Sequence, residues 1–470
     1  GQLKEIETQS ILKSLNQKIN ENVKEYSPES FGCFMSPQST SEEMYLFQRL
    51  SRALGVNNID HRTNEQDFAY QDGYPVMPSF GANLNNIHEF DNIILIGTNI
   101  KTEFPILTVR FNDAVKKNTN IYSYHFINMP EDFDVKKNFV MNNSDLLSVF
   151  QDHSLESCRG KKNLLIIGPN ITYFYNQSLF LQAIETFASN INATVGYLTD
   201  FCNSTSGWIL GNVPHRLPGG KEIKTPGYNT SEMLEGNLSS MIFFNLDPDN
   251  DFYNSSALIN ALQKSSCNVF FTSFITPIIE KYADFVVPIS TYVETDGSYI
   301  NIEGKFQTFS KVVQADKSTF EGWHALNELS KLNGLDDHSI VSIRNDLVSL
   351  LSNVDFTKNK KIDAKAYPKN DKSMIHKNTL RHIYSTDQIV RRAKSLNQTN
   401  QANNRQIYVS KDLVKDNPNK KTLSIEENEK VFKISDFKVK DDLPNKTIVY
   451  NSSFDNKFTE SKSTFVSLKK

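Results

Sequence analysis

ADFVVPISTYVETDGSYINIEGKFQ, residues 283–307, changes character halfway along. Its opening ADFVVPIS is a short apolar run of the buried-strand kind, stopped by Pro288, which has no N–H to give to a sheet. From Glu294 onward the stretch mixes acids, glycines and polar residues with neither helical nor strand period, and it reads as a loop built around turns. What that loop holds depends on the elements around it.

Upstream, strand and helix signals alternate. SSMIFFNLDPD from Ser239 leads through the helical SALINALQKSS to the strand NVFFTSF, and KNLLIIGPN from Lys162 leads through SLFLQAIETFASN to ATVGYL. DNIILIGTN from Asp91, RFNDAVKKNT and NIYSYHF make another such unit. The chain opens with a helix to about Asn20, a short strand and turn in SFGCFMSPQST, and a helix in SEEMYLFQRLSRALG. Ser41 or Thr40 can cap that helix, Met44, Phe47, Leu50 and Leu54 line one face, and Gly55 ends it. This alternation predicts an α/β fold with Rossmann-like parallel sheets, helices on both faces, and two lobes. After Asn333 a helix in DDHSIVSIRNDLVSLLSNV precedes a lysine- and asparagine-rich tail. Its short alternating runs QIYVSKD, KVFKISDF and KTIVYNSSF predict a small, mainly β domain.

The chain has 470 residues, 38% hydrophobic and 22% charged, enough for several domains with sizeable cores. A net charge of -3, without an arginine stripe interleaved with aromatics, argues against a nucleic-acid partner. The longest apolar runs, such as NVFFTSFITPII, fall short of the roughly 18 residues of a membrane-spanning helix. The amphipathic N-terminus has no secretory h-region, which predicts a cytoplasm-like compartment, and the start at Gly1 fits either a processed chain or the later part of a longer protein. Cys33, Cys158, Cys202 and Cys267 lack metal-site spacing and read as buried, reduced thiols.

Several residue groups invite a functional reading beside a plainer one. Gly97 and Gly168 each follow a strand and could bring N–H groups to a phosphate, yet neither belongs to a G-x-G-x-x-G, so a simple turn is the expectation. Asp247 and Asp249 could meet a hard cation, or close a solvated loop. His215 beside Arg216, and His61 beside Arg62, could bind an anion or move a proton, but no partner stands at a suitable spacing and packing roles are expected. Glu294, Asp296 and Glu303 could act as paired carboxylates, or shape a tight turn.

SEEMYLFQRLSRAL with GVNNIDHR, IILIGTNIKTEFPIL, GWILGNVPHR and above all ADFVVPISTYVETDGSYINIEGKFQ resemble, in order, the molybdopterin-oxidoreductase fold as it occurs in the large iron–sulfur subunits of respiratory complex I. The resemblance runs from about residue 30 to 330, and IYSTDQIVRRAKSLNQ from Ile383 resembles a later segment of the same subunits. It implies a first lobe of residues 1–62 and 150–335, a lobe inserted at 63–149, a linker with a helix at 336–375, and a small β domain at 376–470. It also implies a pterin-facing loop made of Glu294, Gly297, Asn301, Glu303, Gly304 and Gln307.

Within that family the resemblance also implies where function was lost. Catalytic members supply a cysteine, selenocysteine or serine to the metal about six positions past the aspartate matched by Asp60, and here that position is near Gln66, a poor ligand for a soft metal. An Asp-Pro-Arg-like motif that grips the pterin dinucleotide is replaced by IYSYHFINMP from Ile121. The expectation is therefore a chain without catalytic residues, metal or cofactor of its own, serving as scaffold among peripheral-arm subunits of NADH:quinone oxidoreductase. The 4Fe-4S and 2Fe-2S clusters would belong to a portion preceding this sequence, on the cytoplasmic side of a bacterial membrane or the matrix side of a mitochondrial one. The alternative is a catalytic subunit of a molybdenum and pterin oxidoreductase such as a formate dehydrogenase. In the scaffold reading the loop from Glu294 to Gln307 survives as a structural clasp.

Overall fold

The computed structural model describes residues 3–6, 8–151, 158–174, 176–353, 375–380, 383–402, 406–417, 421–427, 430–451 and 465–468. Most of the expected 336–375 linker after its helix therefore lies outside the described residues. Two compact units divide the chain. Gly1–Glu65, Pro75–Met77 and Phe201–Asn359 form the first; Gln66–Tyr74, Pro78–Asp200 and Lys360–Lys470 form the second.

The first unit is built on a parallel five-stranded sheet in the order Phe285–Pro288, Cys267–Thr272, Ser240–Phe244, Phe31–Met35, Ile59–Asp60. Phe34, Phe243 and Phe270 stand in register on adjacent strands, with ring centroids 4.9 and 4.6 Å apart and nearly parallel planes. Burying each such ring stabilises the sheet by about 1.5–3 kcal/mol, and their stacking explains the phenylalanine-rich strand pattern. Met44, Phe47 and Leu50 of helix Ser41–Ala53 pack with Phe244 and Phe271, whereas Leu258 and Leu262 of helix Ser255–Lys264 pack with Phe34 and Phe243. The two helices thus serve two different cores. The switch in strand order lies between Phe31–Met35 and Ser240–Phe244, where α/β sheets open a crevice at the carboxyl ends of their strands.

Helix Ser41–Ala53 begins as its sequence predicts, with Thr40 rather than Ser41 as the cap. Thr40 Oγ1 accepts from the Glu43 N–H at 3.2 Å, and Glu43 Oε2 accepts from the Thr40 N–H at 2.8 Å, a complete capping box. At the other end Gly55 has φ of 82°, the left-handed conformation that glycine adopts cheaply.

The second unit contains a parallel sheet in the order Lys137–Val140, Asn120–His125, Asn92–Ile96, Asn163–Ile167, Thr194–Tyr197. Its switch point lies between Asn92–Ile96 and Asn163–Ile167. In this division residues 66–200, apart from Pro75–Met77, fall in the second unit. NIILI and NLLII are both wholly buried strands, and Asn92 Nδ2 donates to Asn163 Oδ1 at 2.8 Å between them. Uniformly apolar strands carry no signal of which neighbour they will choose, so a contiguous insertion could not be delimited from pattern alone.

The lysine- and asparagine-rich tail forms a seven-stranded mixed sheet, Lys430–Ser435, Thr422–Glu427, Phe465–Leu468, Ile375–Leu380, Thr447–Asn451, Ile407–Ser410, Phe437–Lys440, around a core that includes Val409, Leu423, Ile425, Ile434 and Ile448. The three alternating runs QIYVSKD, KVFKISDF and KTIVYNSSF each supply one of these strands. The tail sheet is counted within the second unit rather than as a separate body. Among the described residues no helix is long and apolar enough to cross a membrane.

Candidate functional site

The C-terminal end of the first unit's sheet gathers most of the residues singled out in the sequence. After Met35 the chain turns through Ser36, whose N–H donates to the Phe244 carbonyl at 2.9 Å, and enters the capped helix at Ser41. Over that helix start lies a β-hairpin of Gly297–Ile300 and Phe306–Phe309, the second half of the 283–307 stretch. Ser298 makes the contact from both sides: its N–H donates to Glu42 Oε2 at 2.8 Å and its carbonyl accepts from Ser41 Oγ at 2.9 Å. Ile300 N–H donates to Asn203 Oδ1 at 3.0 Å, and Asn203 Nδ2 donates to the Ser39 carbonyl at 2.7 Å. The hairpin is bonded to the turn and helix start that follow Met35.

Most of the loop residues named from the sequence make local contacts there. Glu294 Oε2 accepts from the Thr291 N–H at 2.9 Å and from its hydroxyl at 2.7 Å, closing the turn that leads in. Gly297 faces Thr40 so closely that a Cβ would stand 2.4 Å from Thr40 Cγ2. Asn301 Oδ1 accepts from the N–H groups of Glu303 and Lys305, both at 2.9 Å, and Gly304 sits at φ of 77° in the turn between the strands. Glu303 pairs with Lys305 at 2.7 Å. Gln307 is exposed on the second strand opposite Tyr299. Asp296, read as a candidate carboxylate, accepts from the Lys311 N–H at 3.0 Å. The partners of these three acids include backbone N–H groups, the Thr291 hydroxyl and Lys305.

Arg344 was missed from sequence. From helix Ile340–Ser352 it donates Nε to Glu42 Oε1 at 2.8 Å and Nη2 to the Gly297 carbonyl at 3.0 Å. Nothing local in SIVSIRNDL marks that contact, which forms 302 residues away from Glu42. Glu43, next to it, is buried, and burial pushes its carboxyl up to about 7 despite the Thr40 N–H and hydroxyl that lower it.

The NNIDHR segment is likewise engaged. Asn58 Nδ2 donates to the carbonyls of Glu29 and Phe31 at 2.7 and 2.8 Å, while Asn58 Oδ1 accepts from the Tyr228 N–H at 2.8 Å. Asp60 and Arg62 form a buried fork, Nε to Oδ1 and Nη2 to Oδ2, each 2.8 Å, with the guanidinium 5.0 Å from the Trp208 ring centroid. Trp208 also meets the rings of His61 and His215 edge-on, and Arg216 lies 5.9 Å from its centroid. The two histidine–arginine pairs, far apart in sequence, share one aromatic anchor. Asp247 and Asp249 do not converge on a cation site: Asp247 Oδ1 accepts from the Asp249 N–H at 3.1 Å, and Asp249 Oδ2 from the Ile278 N–H at 3.3 Å. Among the described residues no group of three or more His, Cys, Asp or Glu could hold a metal ion. Cys33, Cys158 and Cys267 are buried, and burial raises Cys33 and Cys267 to about 11; Cys202 is exposed, against the expectation of burial.

In the second unit, Gln66 Nε2 donates to the Tyr173 carbonyl at 3.0 Å, and Asp67 binds Ser178 through its N–H at 2.8 Å and its hydroxyl at 2.6 Å. Asp67 thereby places a carboxylate at the start of helix Gln177–Asn190, where the helix dipole favours negative charge. The strand carrying IYSYHF ends at His125, whose burial drives its pKa down to about 3 and leaves the ring neutral. Lys440 comes close to this strand end: its charge adds to the lowering of His125, and its Nζ donates to the Asn128 carbonyl at 3.0 Å.

The model of the molybdopterin oxidoreductase family matches residues 1–332. Among curated proteins, the F420-dependent formate dehydrogenase subunit alpha of Methanocaldococcus jannaschii is 22% identical, covering 68% of this chain and 59% of that protein. The mitochondrial NADH-ubiquinone oxidoreductase 78 kDa subunit of Candida albicans is 23% identical, covering 62% of this chain and 38% of that subunit. This chain thus spans only part of the length of either relative. The solved structure of acetylene hydratase from Pelobacter acetylenicus shares the fold over 95% of this chain and 82% of that one, with a TM-score of 0.62 at 12% identity. The parallel-sheet units, the hairpin over the capped helix and the family match together make this chain a member of the molybdopterin oxidoreductase family.

Proposed function

We propose that this chain is a non-catalytic member of its family, a scaffold within the peripheral arm of an NADH:quinone oxidoreductase. The observation that carries the reading is Gln66. The family implies a molybdenum or tungsten ion held by pterin and a soft protein ligand, and the residue at the implied position is a neutral amide whose Nε2 already donates to the Tyr173 carbonyl at 3.0 Å. Asp60 and Arg62, earlier in the same segment, pair at 2.8 Å, and Arg62 Nη1 lies 3.8 Å from Oε2 of Glu65, the residue just before Gln66. The donor set does not fit the metal, and no chemical step is assigned to it.

In this reading the 294–307 loop serves as a clasp. Its bonds to Ser41, Glu42, Asn203 and Arg344 hold the turn that in a catalytic relative would face the pterin. Iron–sulfur clusters, if the whole protein carries them, belong to other parts of it.

A second reading is favoured by the comparisons: the formate dehydrogenase subunit from Methanocaldococcus jannaschii aligns over more of this chain than the 78 kDa subunit from Candida albicans. It would make this chain part of a catalytic molybdenum and pterin oxidoreductase. Affinity purification of the native protein from mild-detergent extracts, with mass spectrometry of its companions and elemental analysis for molybdenum and tungsten, separates the two. Co-purification with NADH-oxidising and quinone-reducing subunits, and no stoichiometric metal of either kind, is the expected result. A stoichiometric molybdenum or tungsten content with an extractable pterin would replace the scaffold reading by the catalytic one.

A further inference from the structure

The second unit's sheet has the strand order of a dinucleotide-binding fold, and its switch point between Asn92–Ile96 and Asn163–Ile167 is where such folds take a ligand's phosphates. The turns that leave these strands, at Gly97 and Gly168, press against each other. A Cβ on Gly168 would stand 2.3 Å from Thr98 Cβ and 2.6 Å from the Gly97 carbonyl oxygen, and one on Gly97 would stand 2.7 Å from Ile171 Cδ1. Across this contact Asn170 N–H donates to the Gly97 carbonyl at 3.1 Å. The two turns pack directly on each other, with no room between them for a side chain on either glycine.

The N–H groups a phosphate would use are taken as well. After Gly97, the N–H groups of Ile100 and Lys101 donate to the two carboxylate oxygens of Glu131, at 2.9 and 2.8 Å. Glu103 takes the preceding donors: its Oε2 accepts from the Thr98 hydroxyl at 2.6 Å and the Asn99 N–H at 3.2 Å, and its Oε1 accepts from Asn170 Nδ2 at 2.5 Å. Asn99 Nδ2 donates to the Pro130 carbonyl at 3.2 Å, tying down the segment that delivers Glu131. Two carboxylates therefore stand where a nucleotide's anionic groups would.

We propose that Glu103 and Glu131 are internal substitutes for the phosphates of a dinucleotide, and that the second unit's switch-point crevice is shut to the nucleotide portion of any cofactor. The inference rests on this crevice alone and goes beyond the scaffold reading, since a chain could lose the crevice and still hold a metal elsewhere. It is tested on the full chain by equilibrium dialysis against guanosine diphosphate and NADH, and by hydrogen exchange at Ile100 and Lys101. The native chain should retain neither nucleotide, and both amides should exchange slowly. Glu131→Ala should speed exchange of both amides by at least about tenfold, the loss expected when a charge-assisted acceptor is removed. Glu131→Gln, which keeps one acceptor oxygen and nearly the same shape, should release mainly one of them. Nucleotide retained by the native chain with added protection at residues 97–101 would overturn the proposal, and so would unchanged exchange in both variants. Metal content plays no part in either readout, so failure here is distinct from failure of the scaffold reading.

Discussion

Arg344 Nε lies 2.8 Å from Glu42 Oε1, and the Glu42 side chain is wholly buried. The pair joins helix Ile340–Ser352 to helix Ser41–Ala53, and through the Gly297 carbonyl Arg344 also holds the hairpin. Three elements share one guanidinium.

Arg344→Ala should therefore destabilise the protein far more than a surface substitution would. The guanidinium is only part-buried, so stranding the buried Glu42 carboxylate should cost at most about 3 kcal/mol, the lower end for a fully buried pair, which denaturant unfolding followed by intrinsic fluorescence would read. Arg344→Ala combined with Glu42→Gln should recover part of that loss. If the double variant were as unstable as the single one, lost packing and not the stranded carboxylate would be the cause.

The clasp makes different demands on its two glycines. Gly304→Ala must adopt φ of 77° beside Met77, whose Cε would be 2.3 Å from the new Cβ, so a loss of about 1 kcal/mol or more is expected. Gly297 has no such backbone constraint, yet Gly297→Ala collides with Thr40 of the capping box and should also loosen the helix start. Thermal melts of both variants test this, and two unchanged midpoints would remove the structural role from the loop.

Glu43 predicts a pH dependence with a definite sign. Its carboxyl is raised to about 7 in the folded chain from an ordinary value of 4.5, mainly by burial, with Glu42 and Glu321 adding to the rise. The folded state then holds the proton more tightly than the unfolded one. The stability this contributes is full below pH 4.5 and is lost as pH rises through about 7. Glu43→Gln keeps a hydrogen-bonding side chain at the third helical position, and should flatten this part of the stability profile, gaining on the native chain above pH 7 by an amount on the order of 3 kcal/mol at most. Urea unfolding at pH 5 and pH 8 would measure it, and parallel pH profiles for the two proteins would contradict it.

Asp60 and Arg62 form the other buried fork, and Asp60 Oδ2 also accepts from the Thr230 N–H at 3.1 Å. Arg62→Met should cost about 3–5 kcal/mol and expose Trp208, which loses its stacked guanidinium. A red shift of tryptophan emission together with a lower unfolding midpoint is expected, whereas a native-like spectrum and midpoint would mean that the fork is dispensable.

Local signals in the chain were specific enough to predict individual elements. Thr40, Glu43 and Gly55 mark both ends of a helix because capping and left-handed glycine are satisfied within a few residues. The stretch from Glu294, expected as a loop built around turns, instead pairs Gly297–Ile300 with Phe306–Phe309, because its short polar strands carry no clear alternation. Arg344, Glu131 and Glu103 escaped notice because their partners lie at Glu42, at Ile100 and Lys101, and at Asn170. A charge in an amphipathic stretch looks the same whether it meets water or a buried partner.

By itself the sequence determined the α/β class, most strands and helices, the turn chemistry of the 294–307 loop and the identity of Gln66, since periodicity, capping and side-chain chemistry are properties of neighbouring residues. Tertiary structure alone decided that Asn163–Ile167 pairs with Asn92–Ile96, that the hairpin bonds to Glu42 and Asn203, and that Glu103 and Glu131 occupy the switch point. Those outcomes depend on which apolar faces find each other and which buried polar groups must then be satisfied. Pairing of that kind is settled by packing over long sequence separations, where local propensity carries no information.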